Sequence, residues 1–291
     1  MAQIIAIHAF RRGTGKSALA ANLAVIWAAE GRRVGLVDLS RQFPSLASLF
    51  DLKQNRPPYS FSHYLADKCT IEEATENLTG QFGPQIKGQL FVASSWAPSS
   101  PTGPSWPPSS PTGPSWPPSS PTGPSWPPSS PTGPNRADPA DLGTLASRQY
   151  DLGKLAHGFY ELVESFALDI LILDTQAGLN EESFISITLS DLLAVVLRPD
   201  QQHYQGTAVM MQLARHLKVP RSVLVINAVP AVFDFVQIQE QLENNYQSEV
   251  AAVLPYDQEM MTVAGGEIFA LRYADHPLTV ALKQLAAKLA V

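Results

Sequence analysis

The sequence lacks the residues that several protein classes require. Its 291 residues include one cysteine, Cys69, so it cannot form an intrachain disulfide, and no cysteine cluster exists for zinc or an iron–sulfur centre. The short apolar run near the start has no basic residue ahead of it, which argues against a secretory signal, and no apolar run reaches the ~20 residues of a transmembrane helix. We therefore expect a cytoplasmic protein.

Positive charge is scarce in the second half of the chain. Residues 1–134 contain 10 Lys and Arg against 7 Asp and Glu, whereas residues 135–291 contain 10 against 19. Nonspecific DNA binding requires a basic surface, so the charge balance does not support it. Arg215, Lys218 and Arg221 could still form a local patch, either as a solvated helix end or as a DNA contact that would associate the protein with the nucleoid.

Proline is concentrated in one segment without large aliphatic or charged residues. Residues 95–134 consist of Ser-Trp-Ala-Pro-Ser-Ser-Pro-Thr-Gly-Pro and three near-identical copies. This composition predicts a disordered segment with polyproline II character. It is either a tolerated loop expansion or a multivalent ligand, since each copy carries a tryptophan and a Pro-x-x-P spacing.

The rest of the chain alternates between two patterns. Apolar, β-rich runs occupy 3–9, 33–37, 89–93, 169–173, 192–198, 222–226 and 250–254, and helical patterns occupy 17–30, 138–167, 180–190, 203–217, 233–245 and 277–290. Such alternation predicts an α/β fold: a doubly wound, mostly parallel sheet with helices on both faces. Ligands of such sheets bind at the carboxyl ends of the strands.

A phosphate-binding motif follows the first predicted strand and precedes the first predicted helix. It reads Phe10-Arg11-Arg12-Gly13-Thr14-Gly15-Lys16-Ser17. Glycines in such a loop let backbone N–H groups converge on phosphate, Lys16 supplies a charge to the β- and γ-phosphates, and the Ser17 hydroxyl is a ligand for Mg²⁺. We therefore predict an ATP and Mg²⁺ site that includes Arg12, Gly13, Thr14, Gly15, Lys16, Ser17 and Ala18.

Two acidic residues end predicted strands at the same edge of the sheet. Asp38 follows the strand at 33–37, and Asp174 follows the strand at 169–173. A carboxylate there, facing the phosphate loop, is the expected partner of Mg²⁺ through water or through another ligand of the metal. We predict that Ser17, Asp38 and Asp174 hold the metal and that the backbone N–H of Gly178 contacts the γ-phosphate.

With these features the chain resembles the deviant Walker-A ATPases of the MinD/ParA class, whose members position plasmids, chromosomes, division sites, carboxysomes or other cargo. The resemblance covers 1–94 and about 136–291, so residues 1–94 and 135–291 are expected to form one P-loop ATPase domain interrupted by 95–134. It implies an ATP-dependent homodimer, hydrolysis and an activating protein partner. It also implies that Asn227 reads adenine, that Pro255 lies in the second base-side segment, and that Arg11 reaches the partner's nucleotide.

The chain departs from the class pattern at three positions. Arg11 replaces the lysine that reaches across the dimer, which keeps the charge. Arg12 replaces a glycine and would either crowd the dimer face or clamp phosphate. Ser40 replaces the second carboxylate of Asp-x-Asp, which predicts slow hydrolysis. Gln176, where the class often has proline, is either a water-orienting residue or part of the loop structure. The alternative function is a nucleotide-gated scaffold with little hydrolysis.

The C-terminal segment carries one apolar face, formed by Leu278, Leu282, Leu285 and Leu289, with few basic residues around it. A membrane-binding amphipathic helix requires a denser basic face. We therefore expect this helix to complete the fold, not to bind a membrane.

Overall fold

The fold is built on one eight-stranded sheet. The computed structural model describes residues 2–40, 45–52, 59–95, 151–263 and 267–290. The strands are β1 Gln3–His8, β2 Arg33–Asp38, β3 Glu76–Asn77, β4 Gln89–Ser94, β5 Ile170–Asp174, β6 Leu192–Leu197, β7 Arg221–Val229 and β8 Glu249–Pro255. They lie in the order β3-β4-β2-β5-β1-β6-β7-β8 and pair in parallel, except β3 with β4. The predicted mostly parallel sheet is confirmed.

Helices connect the strands and cover both faces. They are α1 Lys16–Ala29, α2 Ser45–Leu49, α3 Phe61–Leu65, α4 Leu152–Ser165, α5 Glu181–Thr188, α6 Gln201–His216, α7 Phe235–Tyr246, α8 Gln258–Thr262, α9 Phe269–Arg272 and α10 Pro277–Leu289, with a 3₁₀ helix at Thr79–Gln85. The predicted helix over 138–167 is observed from Leu152, and its earlier residues lie outside the described ranges. The repeat after Ser95 also lies outside them.

Alternate side chains of each strand pack in different hydrophobic cores. Ile5 and Ile7 pack on one face with α1, α9 and α10, whereas Ile4 and Ala6 point to the opposite face. That opposite face holds one cluster with α3 and α4 and another with α6 and α7. Because both faces are buried, the central strands are almost continuously apolar, as a parallel sheet requires.

The first and last helices are central to the fold. Helix α1 is buried on nearly all sides, from Leu19 to Ala28, which explains its lack of a polar face. The predicted apolar face of α10 is buried in the same core, and Trp27 of α1 donates from Nε1 to the carbonyl oxygen of Ala286 (3.2 Å). The expectation that the C-terminal helix completes the fold is confirmed. Among the helices of the described ranges, none has the length and apolarity that crossing a bilayer would require.

Several short elements do not follow from the sequence pattern. They are β3, α2, α3, the 3₁₀ helix, α8 and α9, each no longer than seven residues. Elements of this length contain too few residues to show a hydrophobic period, and tertiary packing decides their conformation.

Candidate functional site

A cleft of about 490 Å³ opens at the carboxyl edge of the sheet, where β1 passes into α1. Its lining comprises the loop and helix residues 11–18, together with Ser40, Ser45, Ser48, Leu49, Thr175, Gln176 and Ala177. All seven residues from Arg12 to Ala18 that the sequence assigns to nucleotide binding therefore meet in one cavity. The start of α1 adds the partial positive charge of a helix N-terminus.

Two glycines give the loop its shape. Gly13 and Gly15 have φ of 80° and 82°, the left-handed region that other residues avoid. A Cβ on Gly15 would also lie 2.4 Å from Nδ2 of Asn227, which donates to the carbonyl oxygen of Thr14 (2.7 Å). Strand β7 thus fixes the loop through Asn227, and a side chain at Gly15 would break that contact.

Phe10 anchors the beginning of the loop. Its ring packs against α6 where that helix has Gly206, and a Cβ at Gly206 would lie 2.0 Å from Cδ1 and 2.2 Å from Cγ of the ring. The absence of a side chain at Gly206 therefore makes room for Phe10. Because Phe10 directly precedes Arg11, this contact sets the position at which the loop leaves β1.

The lysine of the loop forms a buried ion pair. Lys16 Nζ donates to Oδ1 of Asp174 in a short contact, and the two side chains are 9% and 0% exposed. Asp174 ends β5 and is paired in register with Asp38, which ends β2. The predicted convergence of Lys16, Asp38 and Asp174 is what the structure shows, although both carboxylates lie beneath the cleft surface.

Asp38 is held by backbone donors. Its Oδ1 accepts from Ser40 N (2.8 Å) and its Oδ2 from Leu46 N (3.3 Å). Burial, with the nearby charge of Asp174, raises the pKa of Asp38 despite these bonds. Because the carboxylates of Asp38 and Asp174 face only one lysine, the cluster of these three residues has less positive than negative charge.

That electrostatic arrangement fits a divalent cation. Oδ2 of Asp174 is buried and has no hydrogen-bond partner among the described residues. The Ser17 hydroxyl is part of the cleft lining and accepts from Ser45 Oγ (3.2 Å). Carboxylate and hydroxyl oxygens are the ligands that Mg²⁺ prefers, so Ser17, Asp38 and Asp174 fit the predicted metal site.

A buried histidine supports the loop after β5. His8 Nδ1 lies 2.7 Å from Thr175 Oγ1, and that hydroxyl donates to the carbonyl oxygen of Ile7 (3.0 Å). The hydroxyl proton is thereby used, so His8 must donate from Nδ1 and is the Nδ1–H tautomer. Burial, with the charge of Lys16, lowers the pKa of His8 to about 3 and keeps the ring neutral.

Gly178 closes the same loop against the phosphate loop. Its backbone N–H donates to the carbonyl oxygen of Ala9 (3.1 Å), and its φ of 83° requires glycine. The predicted contact of this N–H with a γ-phosphate would require that bond to be exchanged. In the described conformation Gly178 links the two loops.

Arg11 and Arg12 lie exposed at the mouth of the cleft. Arg11 Nη1 donates to Oε1 of Gln202, in the first turn of α6 (2.8 Å). This bond holds the Arg11 guanidinium at the surface, where it is accessible to a second molecule.

The two residues assigned to the base lie outside the cleft lining. Asn227 uses its amide nitrogen on the phosphate loop, and Pro255 ends the edge strand β8. Their predicted adenine contacts remain predictions. Of the three basic residues that could form a local patch, Arg221 pairs with Glu249 (3.0 Å), and Arg215 donates to the Tyr246 carbonyl (2.9 Å).

Sequence reasoning missed the supporting contacts of the site. His8, Phe10 and Gly206 become informative only when α6 and β5 are placed against β1. A histidine at the end of an otherwise apolar run, directly before the glycine loop, was the one available signal.

Known proteins place this site in a family. A model of the CobQ/CobB/MinD/ParA nucleotide binding domain matches residues 5–267. An uncharacterized ATP-binding protein of Methanocaldococcus jannaschii is 24% identical over 290 residues, covering 99% of this chain and 88% of the relative.

Solved structures show the same fold. The MinD cell division protein of Aquifex aeolicus has a TM-score of 0.69 at 16% identity, with 99% of this chain and 96% of that chain covered. The septum site-determining protein MinD of Pyrococcus horikoshii, complexed with Mg-ADP, has a TM-score of 0.65 at 16% identity with the same coverage. The chain therefore belongs to the CobQ/CobB/MinD/ParA nucleotide-binding family and shares the fold of MinD/ParA-type P-loop proteins.

Proposed function

We propose that this protein binds ATP with Mg²⁺, hydrolyses it slowly, and alternates between a monomer and an ATP-bound homodimer that positions a cellular cargo. The observation that carries the proposal is Lys16 at the head of α1, above the paired strand-end carboxylates Asp38 and Asp174, inside a cleft walled by the glycine loop. The related MinD of Pyrococcus horikoshii, complexed with Mg-ADP, supports the ligand assignment.

Phosphate binding follows from the loop. Gly13 and Gly15 permit the backbone to approach phosphate oxygens, and the α1 N-terminus favours negative charge. Lys16 is held by Asp174 in the described conformation, so binding of the β- and γ-phosphates exchanges one anionic partner for another. A buried lysine that moves between two anions keeps its charge compensated throughout.

The metal would be held by the oxygens of Ser17, Asp38 and Asp174. Mg²⁺ held by these residues would supply positive charge that offsets the negative charge developing during phosphoryl transfer. Asp38 presents a fixed carboxylate because Ser40 N and Leu46 N orient it. The chain thus offers the metal a second carboxylate that is already oriented before the metal binds.

Dimerisation rests on Arg11. Its exposed guanidinium, tethered to Gln202, lies beside the cleft mouth, where a partner subunit's nucleotide would have to approach. Arginine can bind phosphate with a planar pair of donors, so exchange of Gln202 for a phosphate of the partner would strengthen the contact. An activating protein partner would act on this assembled state.

ATP turnover of the full chain, with and without Lys16→Ala, tests the enzymatic part. We expect slow turnover that Lys16→Ala abolishes, while Lys87→Ala, an exposed lysine outside the cleft, leaves it unchanged. Circular dichroism must show that Lys16→Ala is folded, since that change leaves Asp174 unpaired. Turnover that survives Lys16→Ala would refute the site assignment.

Light scattering with ATP, ADP or no nucleotide tests the dimer. We expect a doubled mass only with ATP and its loss in Arg11→Ala, whereas Arg272→Ala, exposed and remote from the cleft, should dimerise normally. Dimerisation on ATP without turnover would favour the alternative, a nucleotide-gated scaffold. A monomer under all conditions would refute the proposed dimer.

A further inference from the structure

We propose that Gln176 is a catalytic residue that orients the attacking water for ATP hydrolysis. This inference rests on the proposed ATPase function. It concerns which residue of the cleft lining addresses the water.

Ser40 and Gln176 follow the ends of two adjacent strands. Strands β2 and β5 are adjacent and parallel, with Asp38 opposite Asp174, and Leu39 N donates to the Asp174 carbonyl (3.0 Å). Two residues beyond the paired carboxylates come Ser40 on one chain segment and Gln176 on the other. Both residues line the same cleft.

Gln176 extends from a fixed backbone. The residue before it, Thr175, is fully buried and tied by its hydroxyl to His8 Nδ1 (2.7 Å) and to the Ile7 carbonyl (3.0 Å). Asp174 is tied to Lys16. A fixed backbone holds the start of the side chain in one place, which favours positioning. Gln176 lies two residues after Asp174, the partner of Lys16, and lines the same cleft as Lys16.

The side-chain amide of Gln176 can orient the attacking water without acting as a base. Its carbonyl oxygen accepts a hydrogen bond from the attacking water, and its NH₂ donates to the γ-phosphate. The water oxygen bonds to the γ-phosphorus, the bond to the bridging oxygen breaks, and that electron pair leaves with ADP. A water proton passes to a γ-phosphate oxygen, which yields ADP and inorganic phosphate. Glutamine orients water in this way in some GTPases.

Single-turnover hydrolysis by the full chain tests the proposal. We expect Gln176→Ala to slow hydrolysis about 100-fold, at the lower end of what a positioned polar group contributes, with unchanged affinity for Mg·ADP. The matched control is Gln212→Ala, an exposed glutamine of α6, which should hydrolyse at the parental rate. Adding Ser40→Asp to Gln176→Ala should restore at least a tenth of that rate.

A binding measurement separates catalysis from structure. Gln176→Ala should weaken binding of Mg·ADP with aluminium fluoride, which mimics the transition state, by about the factor lost in rate, and should leave Mg·ADP binding alone unchanged. Equal losses for both ligands would mean that Gln176 only maintains the loop, and would overturn the proposal.

The two proposals fail differently. Hydrolysis that persists within threefold in Gln176→Ala, yet disappears in Lys16→Ala, refutes the role of Gln176 and leaves the ATPase intact. Hydrolysis insensitive to Lys16→Ala refutes the ATPase assignment. If the parent protein binds the aluminium fluoride complex no more tightly than Mg·ADP, the role of Gln176 is also refuted.

Discussion

Replacement of Gly206 by alanine should disturb the phosphate loop from the opposite side of a helix. Gly206 lies inside α6, where alanine is normally favoured over glycine by about 1 kcal/mol. Here the added Cβ would lie 2.0 Å and 2.2 Å from Cδ1 and Cγ of Phe10, whereas carbon atoms pack at about 3.5–4.0 Å. The ring must therefore retreat by more than about 1 Å, and Cγ is too close to the backbone for side-chain rotation alone to achieve this.

The expected magnitude combines two opposing terms. Overpacking of this kind costs about 1–3 kcal/mol, which the helix preference of alanine offsets by about 1 kcal/mol. We expect Gly206→Ala to change the melting temperature by a few degrees at most, yet to weaken Mg·ADP binding at least about 10-fold, or about 1.4 kcal/mol. The affinity for Mg·ADP should change more than the melting temperature, because Phe10 is joined directly to the loop residue Arg11.

Calorimetric titration of Mg·ADP and thermal unfolding measure both effects. Gly153→Ala is the control, since the Cβ added in α4 has its nearest neighbour at 3.4 Å and should leave affinity unchanged. In a Phe10→Ala background, Gly206→Ala should show only the helix gain, because the ring that it strikes is gone. The reasoning is refuted if Gly206→Ala stabilises the protein and binds Mg·ADP as the parent does.

Other predictions concern buried polar groups. The pKa of His8 is lowered to about 3 from an ordinary 6.5, so the unfolded chain binds more protons than the folded one between these pH values. The free energy of unfolding should therefore fall as the pH drops from 6.5 toward 3, and it should fall less in His8→Asn. Urea unfolding at several pH values measures both trends. Asn22→Leu should lower the free energy of unfolding by about 1–3 kcal/mol, since Ala270 N loses the Oδ1 acceptor at 2.8 Å; equal stability in chemical denaturation would contradict this. Without nucleotide, Lys16→Ala should destabilise the protein by about 3–5 kcal/mol, because Asp174 is left as an unpaired buried charge. The double variant Lys16→Ala with Asp174→Asn should be destabilised clearly less, because the second change removes that charge. Equal losses in the two variants would argue against the buried ion pair.

The long elements could be predicted because each carries its own signal. The strands around Ile5 and Ile172 are continuous apolar runs, and the C-terminal helix shows leucines at regular spacing. Short elements such as α2 and α8 show no such period. Their positions depend on contacts with residues far away in the sequence, so no local pattern could identify them.

The candidate site also has one part that could be predicted from the sequence and one part that could not. The order of strand, glycine loop, Lys16 and helix was readable because adjacent residues form the loop, and the acids at strand ends were readable because parallel strands end at one edge. Folding decided the pairings: Asp38 opposite Asp174, Phe10 against Gly206, His8 beneath Thr175. Each of these contacts joins segments that are more than one hundred residues apart in the sequence.

The sequence by itself thus determined the fold class and the phosphate-binding motif, since composition, periodicity and a contiguous motif are local properties of the chain. Only the tertiary structure decided which side chains meet around the loop, and it brought Gln176 and Ser40 into the lining of one cleft. The physical reason is that strand register and helix packing are collective results of burying both faces of the sheet, and no single segment encodes them.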